Sequence, residues 1–174
     1  MRKTHILSML AEDQPRVLTR ITGLVARQGL NIETVTMGKT LRPGISRIIL
    51  TISGHDSVFR RTEQQVNKIF DVMNVSGFTL ERSIVKEICL IHVALQSGKE
   101  KTKLMHHVEA HKVNIVDFTP HSAILEITGS PREIEAFLTK IDHLDIQDIS
   151  RSGVTAIMKQ GSEEDDCTLN EKEE

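Results

Sequence analysis

The stretch DQPRVLTRITGLVARQGLNIETVTMGKT, residues 13–40, decides how the rest of the chain is interpreted. It predicts a loop, a helix, a tight stop and a strand. The apolar residues of the predicted helix fall on one stripe: Val17, Leu18, Ile21, Leu24 and Val25. Pro15 suits the first helical position, where its missing N–H costs nothing. Gly29 suits the helix end because it tolerates a positive φ, and Asn31 then opens an extended run.

The loop before this helix is a candidate binding site for a small anion. Free backbone N–H groups lie there, at the positive end of the helix dipole. Asp13 offers an acceptor for an ammonium group, and Asn31 can both donate and accept hydrogen bonds. Together they meet the needs of an amino-acid zwitterion. The spacing is equally compatible with Asp13 only capping the helix and Asn31 only making a turn.

The pattern continues outward from this stretch to give a repeated order of elements. Residues 47–53 are strongly β-prone, with Ile48, Leu50 and Ile52 alternating onto one face. Asp56 or Ser57 is predicted to cap a second helix. The apolar residues of that helix are Val58, Val66, Ile69 and Phe70, with Thr62 on the same face. A strand over 71–80 then completes the order βαββαβ.

The same order is predicted again in the second half of the chain. It has a strand over 87–96, a helix over 98–111 with Leu104, Met105 and Val108 inward, and strands over 113–118, 123–128 and 145–149. Ser130, Pro131 and Glu133 have the spacing of a capping box that opens the last helix. A short apolar piece, residues 154–158, follows.

The predicted fold class is therefore α+β, with two tandem ferredoxin-like βαββαβ units. We assign residues 1–80 and 81–160 to the two units and 161–174 to an acidic, disordered tail. Strands such as 87–96 (EICLIHVALQ) are apolar on both faces, whereas two helices cover only one face of each sheet. The second face needs a cover, from the other lobe, from a second copy of the chain, or from both.

Composition narrows the class of protein. The 174 residues carry a net charge of −2, and residues 161–174 hold seven acids and one Lys, which leaves +4 for the remainder. That excess is too small and too dispersed for a nucleic-acid surface. The two cysteines, Cys89 and Cys167, form neither a disulfide framework nor a CxxC motif, and no apolar run reaches membrane-span length. We expect a cytoplasmic protein.

No catalytic motif emerges from the sequence. The patterns GxSxG, HExxH, GxxxxGK[ST] and GxGxxG are all missing. His106, His107 and His111 form the nearest approach to a metal cluster, but a partly exposed polar face is the more ordinary interpretation. Cys89 and His92 are expected to be buried structural residues of a strand. Base-stacking aromatics of the RNA-binding type are missing from the central strands.

The residues also carry a family resemblance. The run from Asp13 to Gly38 resembles the ACT domain of the small, regulatory subunit of acetolactate synthase. Further matching segments follow in the same order: Ser46-Arg47, Glu81-Arg82, 86–90 (KEICL), 115–120 (IVDFTP), 133–138 and 151–153 (RSG). The resemblance spans about residues 4–159.

This resemblance implies a non-catalytic subunit, expected to form a homodimer through its ACT domains. It would bind and activate the large catalytic subunit and mediate feedback inhibition by a branched-chain amino acid, with valine the expected effector. Thiamine diphosphate, Mg and FAD are then expected only on the catalytic partner. The effector-contacting residues implied are Asp13, Gln14, Pro15, Arg16 and Val17 of one chain, with Asn31 and Ile32 of its partner.

Two positions depart from the family pattern, which usually has Asn at Asp13 and Gly at Arg16. The Arg16 side chain could swing out, bind the effector carboxylate, or fill the site with Asp13 as its ion-pair partner. Two other functions stay open on sequence alone: a stand-alone ACT-type amino-acid sensor with another partner, and a small enzyme on a ferredoxin-like scaffold.

Overall fold

The computed structural model describes residues 3–159. The first lobe contains β1 (Lys3–Glu12), α1 (Val17–Arg27), β2 (Asn31–Lys39), β3 (Ile45–Gly54), α2 (Asp56–Val66) and β4 (Val72–Thr79). The second contains β5 (Ser83–Ala94), α3 (Gly98–His111), β6 (Asn114–Phe118), β7 (Ser122–Gly129), α4 (Pro131–Lys140), β8 (Asp145–Arg151) and β9 (Thr155–Met158). The sheets have strand orders β2-β3-β1-β4 and β6-β7-β5-β8, and every ladder is antiparallel. The predicted pair of ferredoxin-like units is confirmed.

Each lobe has an aliphatic core between its sheet and its helices. In the first lobe, Ile48, Leu50 and Ile52 of β3 point into this core together with Val17, Ile21 and Val25 of α1. In the second lobe, Cys89, Ile91 and Val93 of β5 play the same part against α3 and α4. The alternation along β3 and the stripe on α1 therefore match the sequence prediction.

The start of α1 differs from that prediction. Pro15 lies two positions before the helix, and Arg16 is the N-cap residue with φ −110° and ψ −10°. The N–H of Val17 donates to the carbonyl of Gln14 at 3.2 Å, which closes a turn. Proline is favoured at the second position of such a turn. Pro15 therefore belongs to the loop before the helix and is not its first residue. Gly29, at φ +73°, ends α1 as predicted.

The predicted second helix is wrong at both ends. His55 is its N-cap residue and Asp56 its first helical residue, with no side-chain cap. The Asp56 carboxylate instead pairs with Lys3 at 3.3 Å and lies 3.1 Å from Nε2 of His5. At the other end, α2 stops at Val66 and Phe70 is 89% exposed. A pair of turns after Val66 carries Ile69 back onto the core and leaves Phe70 outside.

The second lobe follows the prediction more closely. Ser130 and Glu133 exchange the two hydrogen bonds of a capping box, and Pro131 is the first residue of α4. These bonds hold the pKa of Glu133 down at about 2. Met105 is the exception: it is 41% exposed, whereas Leu104 beside it is fully buried. The proposed tail, residues 161–174, lies outside the described residues.

The second lobe packs against the face of the first sheet that the helices leave open. Ile6, Ile49 and Phe78, on the face of the first sheet away from its helices, pack against Val154 and Ala156. These last two residues belong to the segment that forms β9, which pairs with the start of β5. The cover predicted for the first sheet is thus supplied by the second lobe. The equivalent face of the second sheet leaves Ile88 and Leu90 partly exposed.

Replacing Phe78 by Ala tests this packing between the lobes. Phe78 is 7% exposed, and truncation of a buried Phe costs about 3–5 kcal/mol. We expect urea denaturation of Phe78→Ala to show a loss of that order in the free energy of unfolding. Phe70→Ala is the matched control, because an exposed side chain changes stability by about 0.5 kcal/mol or less. Equal effects of the two substitutions would contradict the described packing.

Candidate functional site

The predicted effector loop is an exposed turn at the beginning of α1. Asp13, Gln14, Pro15 and Arg16 are all exposed, and Val17 is buried beneath them. The backbone N–H of Asp13 donates to the carbonyl of Gly44 at 2.8 Å, which ties the loop to the turn before β3. A backbone hydrogen bond thus holds the loop against the sheet while its side chains face outward.

The side chains of Asp13 and Arg16 are unpaired among residues 3–159. Neither makes a side-chain hydrogen bond or an ion pair there, and the N-cap position has no side-chain cap. Two alternative roles for these residues therefore lack support in the described residues. Asp13 does not cap α1, and Arg16 does not fill the site as the ion-pair partner of Asp13. Both charged groups are available to a ligand.

Asn31 and Ile32 lie at the opposite end of α1. Asn31 is the first residue of β2 and exposed, while Ile32 packs partly buried against the first core. α1 has 11 residues, so its two ends are separated by about 16 Å at 1.5 Å per residue. An amino acid cannot span that distance. One chain alone therefore does not bring the predicted site residues together.

β2 is one of the two edge strands of the first sheet, and a second chain could bind next to it. Its outer side carries backbone groups that no strand of residues 3–159 pairs with. Val35 and Met37 on this strand are 40% and 43% exposed. An exposed edge with apolar side chains is a ready template for pairing with another chain.

A partly buried ion-pair network at the boundary of the lobes was not predicted from the sequence. Glu87 of β5 is 3% exposed, and its carboxylate pairs with Arg151 at the end of β8. Arg151 also binds Glu135 of α4. These bonds raise the pKa of Arg151 although burial alone would lower it. Glu87 and Arg151 lie 64 residues apart in the chain, and the register that pairs Cys89 with Arg151 brings them together.

The same boundary contains a cleft of about 600 Å³. Thr34 and Val35 of β2 line it from the first lobe, and Glu87, Arg151 and Gly153 line it from the second. None of these residues belongs to the predicted effector loop. The cleft is therefore a separate feature of the molecule.

The histidine group of the second lobe is not arranged as a metal site. His111 uses Nδ1 to bond the carbonyl of His107 at 2.9 Å, and its Nε2 contacts the Lys140 ammonium. Both of its ring nitrogens are thus engaged within the protein. No group of three or more His, Cys, Asp or Glu within residues 3–159 could hold a metal ion.

Cys89 and His92 lie where the sequence predicts, inside β5. The Cys89 thiol is fully buried, and burial raises its pKa, which makes it a poor nucleophile. His92 is half-buried on the opposite face of the strand.

Within the described part of the chain, no helix is long and apolar enough to cross a membrane.

Comparison with known proteins matches both lobes. The model of an acetolactate synthase small-subunit-like ACT domain matches residues 7–74, and that of the small subunit of acetolactate synthase matches residues 86–160. A probable acetolactate synthase small subunit of Methanothermobacter thermautotrophicus is 35% identical over 91% of this chain and 94% of its own length. The chain belongs to the acetolactate synthase small subunit family.

Further relatives agree with this assignment. The acetolactate synthase small subunit of Mycobacterium bovis is 32% identical over 90% of this chain and 93% of its own length. The crystal structure of the small subunit from Thermotoga maritima superposes with a TM-score of 0.82 at 30% identity. It covers 90% of this chain and 98% of that one, so the likeness includes both lobes. The family resemblance of the sequence is therefore confirmed.

We expect His107 to lower the stability of the second lobe in acid. Desolvation, followed by the charges of His143, His106, His111 and Lys140, lowers the pKa of His107. A histidine whose pKa is lowered by folding stabilises the fold above its ordinary pKa, and that contribution is lost as the pH falls through the lowered value. We expect the urea concentration at the unfolding midpoint to decrease when the pH is lowered from about 7.5 to about 5.5, two values on either side of the ordinary histidine pKa. The decrease should be smaller in His107→Gln than in the unaltered chain.

His121→Gln is the control for this experiment, since His121 lies exposed in the turn before β7. Its midpoint should follow that of the unaltered chain at both pH values. An identical decline in His107→Gln and in the control would contradict the assignment of the acid sensitivity to His107.

Proposed function

We propose that this chain is the regulatory subunit that binds and activates the large, catalytic subunit of acetolactate synthase. It also confers feedback inhibition by a branched-chain amino acid, and valine is the effector expected first. Membership of the small-subunit family along both lobes carries this proposal. A stand-alone amino-acid sensor would need only the first lobe, whereas the match to the second lobe favours a subunit. Thiamine diphosphate, Mg and FAD then belong to the catalytic partner.

The effector site is proposed to form between two copies of the chain. Its two halves are held about 16 Å apart by the length of α1. If two copies pair along β2 about a two-fold axis, β2 runs antiparallel to its copy, and α1 then lies antiparallel to the other α1. The beginning of one helix thereby approaches the end of the other. Asp13 and Arg16 of one chain would face Asn31 of its partner, twice in each dimer.

The chemistry of these residues suits an amino acid. The Asn31 amide can bond the ammonium or the carboxylate, and the Asp13 carboxylate can pair with the ammonium. The free backbone N–H groups at the start of α1 and the Arg16 guanidinium favour the carboxylate. In this arrangement Arg16 replaces the close backbone approach that a glycine would allow.

Regulation then follows from linkage. An effector that binds one state of the regulatory dimer more tightly than another shifts the balance between them, and only that difference in affinity can alter the partner. Couplings of this kind are typically about 1–3 kcal/mol, or ~5–150-fold in affinity.

A reconstitution assay tests the proposed function. The purified chain is titrated into an acetolactate synthase large subunit from the same organism, and acetolactate formation from pyruvate is measured. We expect the rate to rise to a plateau at a fixed ratio of chains, and valine to lower that plateau. A rate unaffected by the added chain would contradict the proposal.

Subunit mixing tests the shared site. Asp13→Ala and Asn31→Ala should each abolish the valine response, since each removes one half of both sites in a dimer. A dimer with one chain of each variant has one intact site, so chains mixed through denaturation and refolding should regain part of the response. The readout is valine inhibition of the reconstituted enzyme. A mixture no better than either variant alone would mean that the two residues do not share a site.

A further inference from the structure

The turn Arg151–Gly153 is fixed to the second lobe. The N–H of Ser152 donates to the carbonyl of Ile88 at 2.9 Å, and the N–H of Ile88 donates to Oγ of Ser152 at 3.0 Å. Arg151, the first residue of the turn, is held by Glu87 and Glu135. Backbone and side-chain bonds thus attach the turn to β5 and α4.

The same turn touches β2 of the first lobe. A Cβ atom added to Gly153 would lie 3.0 Å from Oγ1 of Thr36, 3.3 Å from Cβ of Thr34 and 3.6 Å from the carbonyl oxygen of Val35. Gly153 also has φ +79°, a conformation that side chains disfavour. Glycine therefore suits this position in two ways: it accepts the backbone conformation without strain, and it leaves room for the close approach of β2.

The contact lies at the boundary of the lobes. The cleft of about 600 Å³ opens beside it, lined by Thr34 and Val35 on one side and by Glu87 and Arg151 on the other. Oγ1 of Thr36 is buried and makes no hydrogen bond within residues 3–159. Beyond the turn, Val154 and Ala156 pack against Ile49 and Phe78. A displacement of β2 toward the turn would therefore press on Gly153, and the cleft beside it leaves room for such a displacement.

We propose that the turn Arg151–Gly153 is the coupling element through which the strand that begins at Asn31 acts on the second lobe, with Gly153 as a positioning residue. Packed interfaces adopt discrete arrangements and do not deform continuously, so a small displacement of β2 would change the seating of the turn. That seating reaches β5 through Ser152 and α4 through Arg151. The part of this inference that concerns effector response rests on the proposed function.

Amide hydrogen exchange of the whole chain tests the coupling without effector or partner. Gly153→Ala should raise the exchange of β2 amides, residues 31–39, by about fivefold or more, a change at the lower end of known couplings. Thr36→Ala removes the atom 3.0 Å from the added methyl group. The double variant should therefore recover much of the β2 protection, although the backbone strain at Gly153 remains. Gly98→Ala is the control, because an added Cβ meets nothing within 4 Å there.

Two results would overturn the inference. One is unchanged exchange in β2, with any effect of Gly153→Ala confined to residues 150–158. The other is an effect on β2 that Thr36→Ala does not relieve, since the effect would then come from local strain and not from contact between the lobes.

The reconstituted enzyme provides the functional readout. Gly153→Ala should shift the half-inhibiting valine concentration by about fivefold or more, with activation in the absence of valine within twofold of the unaltered chain. An unchanged valine response would contradict the role of the turn in regulation. If the unaltered chain neither activates nor responds to valine, the proposed function fails, and hydrogen exchange alone decides whether the turn couples β2 to the second lobe.

Discussion

The strand β5 is the constraint on which the arrangement of the molecule depends. It has 12 residues: residues 87–94 pair with β7, residues 89–94 also pair with β8, and the first four residues pair with β9. The segment Val154–Met158 is thereby held against the outer face of the first sheet, where it covers Ile6, Ile49 and Phe78. One continuous strand thus joins the core of the second lobe to the segment that covers the first sheet. The two lobes are therefore packed together and are not independent domains joined by a linker.

This arrangement determines which surfaces of the first lobe stay available. One face of its sheet is covered by α1 and α2, and Ile6, Ile49 and Phe78 on the other face are covered by the second lobe, while β2 lies at one of the two sheet edges. β2 begins at Asn31, contacts Gly153 through Thr34 and Thr36, and carries the exposed side chains of Val35 and Met37. A single strand therefore connects the proposed dimer edge, one half of the proposed effector site and the boundary between the lobes. A regulatory subunit needs such a connection if an effector bound at one place is to alter contacts at another.

The sequence predicted the fold because local signals agreed with the overall arrangement. The stripe on α1, the alternation on β3 and the capping box at Ser130 each have one structural solution. The start of α2 was predicted wrongly because the Asp56 carboxylate, instead of capping the helix, pairs with Lys3 and lies beside His5. Both partners are distant from Asp56 in sequence. Its end was missed because the apolar periodicity continues to Phe70 although the helix stops at Val66. Tertiary contacts outweighed the local pattern in both places.

The candidate site was predictable as residue types but not as a geometry. Asp13, Arg16 and Asn31 could be selected from the sequence, and the family resemblance implied that two chains share them, but the physical reason is the length of α1, which separates them within one chain. The Glu87–Arg151–Glu135 network could not be selected at all, because Glu87 and Arg151 meet through the register between β5 and β8 and Glu135 reaches Arg151 from α4. Gly153 was visible as part of an RSG match, but its role depends on the close approach of β2, which no local signal encodes.

The proposed effector site is shared between two chains. The valine dissociation constant, measured by calorimetry over a range of chain concentrations that spans monomer and dimer, tests it most directly. A site completed by the partner chain predicts that the apparent affinity rises with chain concentration as dimers form, because binding and association are linked. A dissociation constant that does not change over that range would place the whole site within one chain and contradict this account.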